Sequence, residues 1–152
     1  MLVHTRLVID ANLLLLLVIG AVEEGRYISK SKRLRNFDLT DYDNVVKIMS
    51  SFNEVCITSY IATEVSNLID LHGTSGQLAF RIARGLFSFF TEISTSIRDD
   101  CSPSYFEYFG ITDSSLIRLV SECKVLTSDN RLCAVLYKVN PKNVLQYCPI
   151  GS

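Results

Sequence analysis

At 152 residues the chain is long enough for one sizeable core and short for several, so a single domain over residues 1–152 is expected. Apolar residues make up 48% and charged residues 20%, which excludes a disordered or collagen-like chain. The formal net charge of −1 provides no global field toward nucleic acid, so such a partner would have to be met by a local patch.

Arg6–Ile9 reads as a central strand buried on both faces, ending at Asp10. In an open α/β sheet, ligands bind in the crevice outside the carboxyl ends of the strands, which is where Asp10 would stand. From Leu13 an apolar run reaches Val22. It is too short to span a bilayer, and Asp10 and Asn12 precede it where a signal peptide carries positive charge. It is expected to be a helix buried on nearly all sides, with no membrane partner.

Arg26, Lys30, Lys32, Arg33 and Arg35 then fall within ten residues, a third of the 15 basic residues. This segment is either a solvated loop or a phosphate-binding patch built from Lys30, Lys32, Arg33 and Arg35. Thr40 suits a helix N-cap, and Tyr42, Val45, Val46, Met49 and Phe52 follow at helical spacing. Glu54–Thr58 reads as a second buried strand. Ser59 caps the next helix, whose stripe is Ile61, Val65, Leu68 and Ile69. Glu64 lies on the edge of that stripe, and Asp70 opposite it should be solvated.

After the break at His72–Gly76, Leu78, Ile82, Leu86, Phe89, Phe90 and Ile93 mark a long amphipathic helix. Arg98–Pro103 reads as loop, and Ser104–Phe109 as a short helical turn ending at Gly110. A helix restarts with Thr112 as N-cap and Asp113 in its first turn, on the inward face. Lys124–Thr127 is another strand, followed by Asp129 as N-cap of a helix over Asn130–Tyr137, and Val144–Tyr147 is a last short strand. The alternation of strands and helices predicts an α/β fold with a mostly parallel sheet covered on both faces.

The cysteines (Cys56, Cys101, Cys123, Cys133 and Cys148) are odd in number and form no C-x-x-C pair. Four lie in apolar surroundings, which fits reduced thiols in the cytoplasm. With His4 and His72 the only histidines, a zinc site is not expected.

Asp10, Glu64, Asp113 and Asp129 each have an ordinary alternative: a cap, a snorkelling surface acid, a partner of the helix dipole. Each also follows a strand or sits in the first turns of a helix, facing inward. Four carboxylates gathered at one sheet edge repel strongly and persist at neutral pH with cations. Hard oxygen donors without His or Cys select Mg²⁺ or Mn²⁺, and an acid-lined site of that kind suits phosphoryl chemistry.

The segments V-I-D-A-N-L-L-L (Asp10, Asn12), T-S-Y-I-A-T-E-V (Glu64), G-I-T-D-S-S-L (Asp113) and V-L-T-S-D-N-R-L (Thr127, Asp129) resemble, in order, the motifs of the PIN-domain nucleases. The resemblance runs from about Thr5 to Tyr147. It implies a three-layer α/β/α sandwich and a Mg²⁺- or Mn²⁺-dependent endoribonuclease. It further implies that Asp10, Glu64, Asp113 and Asp129 hold the metals, with Asn12 and Thr127 orienting carboxylates or water behind them. Many small bacterial members are toxins of toxin–antitoxin pairs that dimerise and are held inactive by an antitoxin protein. The basic segment here is longer than in many compact toxins, and the motif does not place Asp99 and Asp100. A haloacid-dehalogenase-like phosphatase would need an acid where Asn12 stands. The alternative from another class is a catalytically inactive PIN-like module that binds RNA or protein.

Overall fold

A computed structural model describes residues 5–151. Five strands, β1 (Arg6–Ile9), β2 (Glu54–Thr58), β3 (Thr91–Ile93), β4 (Lys124–Thr127) and β5 (Val144–Gln146), form one sheet. The order is β3-β2-β1-β4-β5 and every pairing is parallel. The chain moves outward from β1 through β2 to β3, then returns to the far side of β1 for β4 and β5. The strand order therefore reverses between β1 and β4, which makes their carboxyl ends the crevice of the fold.

Helix α1 (Ala11–Gly20) packs against α2 (Leu39–Ser50), α3 (Ser59–Leu68) and α4 (Gly73–Phe89). Helix α6 (Phe106–Leu119) packs against α5 (Ile97–Cys101) and α7 (Asn130–Val139). With right-handed crossovers these two groups cover opposite faces, giving a three-layer α/β/α sandwich. Every residue of α1 except Asn12 is buried, so this helix has no solvent face to pattern and its apolar run is continuous. Among the described residues no helix is long and apolar enough to cross a membrane.

Several boundaries differ from the sequence reading. Helix α1 begins two residues earlier, at Ala11, because the Asp10 carboxylate caps its first N–H. Asp38 rather than Thr40 caps α2: Asp38 accepts from the Thr40 and Asp41 N–H groups, while Asp41 returns a bond to the Asp38 N–H. Thr58 rather than Ser59 caps α3, accepting from the Ile61 N–H at 3.2 Å.

The stripe of α4 does not run on to Ile93. Phe90 turns extended and buries its ring, Phe89 is left 83% exposed, and Thr91–Ile93 becomes the edge strand paired with β2. Part of the expected loop Arg98–Pro103 belongs to α5, capped by Ser96 and stabilised by the wholly buried Asp100. Asp100 accepts from Arg118 Nε at 2.7 Å and from the Tyr60 hydroxyl at 2.9 Å, so it ties α3, α5 and α6 together. Of the cysteines, Cys56, Cys123 and Cys133 are buried and Cys101 and Cys148 are exposed, and all are free thiols.

Candidate active site

The Asp10 backbone N–H still donates to the Leu126 carbonyl at 2.9 Å, so Asp10 is fixed by the β1–β4 ladder itself. The residue is 6% exposed. Oδ1 accepts from the Ala11 N–H at 2.7 Å and Oδ2 from the Thr127 hydroxyl at 2.6 Å. Thr127 is fully buried, and its Oγ1 accepts in turn from the Asp129 N–H at 3.1 Å. One hydroxyl thus joins the ends of the two strands at which the sheet order reverses. Asp129 caps α7 through Oδ1, which accepts from the Arg131 and Leu132 N–H groups at 2.9 and 3.1 Å. Its Oδ2 takes no part in these bonds.

Glu64 and Asp113 are half-buried and stand in the wall of one cavity of about 480 Å³, between α3 and the break in α6. That break is Gly110, at φ 80° and ψ 179°. Thr112 is therefore not the cap of a new helix but lies inside the resumed one, and Asp113 is carried inward by backbone geometry that a Cβ disfavours.

The electrostatics link the acids across the chain. Burial raises the Asp10 carboxyl to about 6 despite the bonds from Thr127 and Ala11, and Glu64 and Asp129 add to the rise. Asp113 is raised to about 7, first by burial and then by Asp10, Asp129 and Glu64, with Arg131 opposing. The fold thus brings Asp10, Glu64, Asp113 and Asp129 into one field. They are not a closed cage: among the described residues, no group of three or more Asp, Glu, His or Cys side chains is arranged to hold a metal ion. The nearby thiol of Cys133 is pushed up to about 11 by burial, Asp129 and Asp10, so it stays protonated at neutral pH.

Asn12 is exposed in the wall of a second cleft of about 310 Å³, with Arg33, Phe37, Asp129 and Asn130. Among the described residues it hydrogen-bonds none of the acids, whereas Thr127 bonds Asp10 directly. Lys30, Lys32, Arg33 and Arg35 are all exposed, and among the described residues none forms an ion pair, while Arg26 pairs with Glu23 at 3.5 Å. Only Arg33 of this set lines the cleft beside Asp129. The basic segment is anchored rather than free: Ile28 and Leu34 are buried in the core, and the Lys32 N–H donates to Asp70 Oδ2 at 2.9 Å. Asp70 is consequently half-buried instead of solvated, since α3 ends at Leu68 and the helical projection does not reach it.

Residues the sequence reading left unassigned also meet here. The Arg131 guanidinium lies 4.6 Å from the Phe109 ring centroid, and its Nη2 donates to the Tyr108 carbonyl at 3.0 Å. Tyr60, Asn67 and Phe109 line the larger cavity with Glu64 and Asp113. The available signal for Arg131 was its position in the first turn after Asp129. Phe109 and Tyr60 carry no local signal, because aromatic residues beside helix ends are ordinarily core. The chain matches no protein-family model and no curated protein.

Proposed function

We propose that this chain is a PIN-like, divalent-cation-dependent endoribonuclease, with Asp10, Glu64, Asp113 and Asp129 as the acids that take up Mg²⁺ or Mn²⁺. The observation that carries the reading is that acids from separate elements meet at the crevice between β1 and β4: beyond burial, Glu64 and Asp129 raise Asp10, and Asp10, Asp129 and Glu64 raise Asp113. The donor set is all hard oxygen, with Cys133 held protonated beside it, which suits Mg²⁺ or Mn²⁺ better than zinc. A bound cation would neutralise the acids and supply Lewis acidity for attack of water on a phosphodiester. Thr127 keeps the Asp10 carboxylate oriented, and Asp129 keeps one oxygen outside its cap bonds for a ligand. Arg33, with Lys30, Lys32 and Arg35 around it, supplies the positive charge for an RNA backbone beside Asn12 and Asp129. On this reading the enzyme works in the cytoplasm as the toxin of a toxin–antitoxin pair, with an antitoxin protein and a second copy of itself as partners.

The test is cleavage of single-stranded RNA by the purified protein with Mg²⁺ or Mn²⁺ and with EDTA. Cleavage that EDTA abolishes, and that Asp10→Ala lowers by at least about a hundredfold, is expected. Full cleavage in EDTA overturns the mechanism. The open arrangement of the acids favours one second reading, a catalytically inactive module that binds RNA or protein. Calorimetry with Mn²⁺ separates the two, because the inactive module takes up no cation between micromolar and millimolar concentrations.

A further inference from the structure

The cavity between α3 and the Gly110 break is more than a wall for Glu64 and Asp113. At about 480 Å³ it falls within the ~300–1,000 Å³ of small-molecule sites. Tyr60, Thr63, Asn67 and Phe109 line it beside the two acids. Both aromatic rings are held from behind. The Tyr60 hydroxyl is committed to buried Asp100 at 2.9 Å, and the Phe109 ring lies under the Arg131 guanidinium at 4.6 Å. Arg131 is itself fixed by its bond to the Tyr108 carbonyl. Gly110, at φ 80° and ψ 179°, sets the wall in a backbone conformation that residues with a Cβ rarely adopt. This is a preformed site, not a gap between mobile side chains.

Its chemistry selects the occupant. Glu64 and Asp113 disfavour an anion inside the cavity, so a phosphate group does not belong there. The rings favour a flat apolar face. Asn67 is exposed, and among the described residues its amide, one donor group and one acceptor, has no protein partner. A flat, uncharged group with hydrogen-bonding edges answers all three requirements. We propose that this cavity is a nucleobase subsite, in which the base next to the scissile phosphate stacks on Phe109 and is read along its edge by Asn67. The inference rests on the ribonuclease reading and adds a base preference to it. Arg33 and Asn12, in the other cleft beside Asp129, are left to the backbone.

The experiment titrates the full chain with adenosine, guanosine, cytidine and uridine, followed by NMR shifts at assigned backbone amides. Free nucleosides carry no phosphate, so the basic segment does not contribute. One nucleoside is expected to shift the amides of Asn67 and Phe109–Thr112 and to bind several-fold tighter than the least favoured. Phe109→Leu, which keeps apolar bulk and removes the ring, should weaken that nucleoside roughly fivefold to a hundredfold. Asn67→Ala, at an exposed position that leaves the fold intact, should flatten the preference among the four. Absence of shifts at this cavity up to millimolar nucleoside overturns the subsite, as does wild-type binding by both variants. RNA cleavage by a wild type that binds no nucleoside here would remove the subsite and leave the nuclease. Nucleoside binding by a protein that cuts no RNA would uphold the cavity and remove the nuclease reading.

Discussion

Two buried carboxylates, Asp10 and Asp41, show opposite behaviour. Asp41 is wholly buried in α2 and Asp10 is 6% exposed behind β1. Asp41 Oδ1 accepts from the Tyr147 hydroxyl at 2.6 Å and the Ile150 N–H at 3.1 Å, and Oδ2 from the Asp38 N–H at 2.9 Å. Burial alone would raise its carboxyl, yet these bonds hold it below the ordinary value. The Tyr147 hydroxyl is pushed up to about 12, by burial and by Asp41, so it remains a donor. Asp10 also accepts two hydrogen bonds, but burial and the neighbouring acids lift it to about 6. Burial therefore does not tell these two acids apart. Company does: Asp41 is surrounded by donors and clamps the chain after β5 onto α2, whereas Asp10 is held among like charges that the fold tolerates.

The sharpest way to break this comparison is to remove one charge from each region. Asp10→Asn and Asp113→Asn should each lower RNA cleavage at least about a hundredfold, while Asp41→Asn should leave the rate per folded molecule within a few-fold. Stability should show the reverse. Asp41→Ala strands a buried hydroxyl and two N–H groups and should cost on the order of 3 kcal/mol in denaturant unfolding. If Asp10→Asn and Asp41→Asn both kept full activity, the two acids would be equivalent structural acceptors, and no site would distinguish them.

The pH dependence separates the regions by sign. The Asp10 carboxyl is raised to about 6 and that of Asp113 to about 7, so their contributions to stability are complete below the ordinary carboxylate value. They are lost as pH rises from about 4 through about 7. The Asp41 carboxyl is lowered, so its contribution is complete above the ordinary value and is lost as pH falls through its lower folded value. Metal-free Asp10→Asn should accordingly melt higher than wild type at pH 7, by on the order of 1–2 kcal/mol, with the gap closing near pH 4. Saturating Mn²⁺ should narrow or reverse that order, because a cation bound only to the folded wild type stabilises it by mass action. The exposed Asp43→Asn should do neither. Thermal melts at the two pH values, with and without Mn²⁺, decide it, and a metal-free Asp10→Asn that melts lower at both would reduce Asp10 to a helix cap.

Much of this arrangement was legible in the chain because strands β1, β2 and β4 are short apolar runs, each closed by a capping residue. That pattern located Asp10, Thr127 and Asp129 at the carboxyl ends of strands, which fixes them to the crevice whatever the side chains around them do. Glu64 and Asp113 followed from helical phase. Phase failed where the backbone left the helix: Asp70 lies past the end of α3, Thr112 lies inside the helix resumed after Gly110 instead of capping it, and Phe89 and Phe90 straddle the turn into β3. The roles of Asp41 and Asp100 depend on partners far along the chain, Tyr147 and Ile150 for one and Arg118 for the other, and no local pattern announces such pairs. The same holds for Phe109 under Arg131. Charge density found the basic segment, but only the fold distinguishes Arg33 from its neighbours.

That distinction yields the smallest effect, and it tests whether the acid region is also where RNA is gripped. Arg33 lines the cleft that contains Asn12 and Asp129, while Lys30, Lys32 and Arg35 are exposed outside it. If Arg33 neutralises one phosphate of a single strand, Arg33→Ala should flatten the dependence of log binding constant on log salt concentration by about 0.7. Lys30→Ala and Arg35→Ala should each flatten it less, because a charge outside the cleft keeps its own counterions when RNA binds. Arg84, an exposed cation lining a different cavity on α4, serves as the control and should leave the slope unchanged. The measurement is a salt titration of binding to an RNA too short to reach α4 from the crevice. Equal slopes for Arg33→Ala and Arg35→Ala would mean that the segment acts as a diffuse positive cloud. An unchanged slope for both would detach the basic segment from RNA altogether, leaving its buried Ile28 and Leu34, and the Lys32–Asp70 bond, as the reason it is ordered.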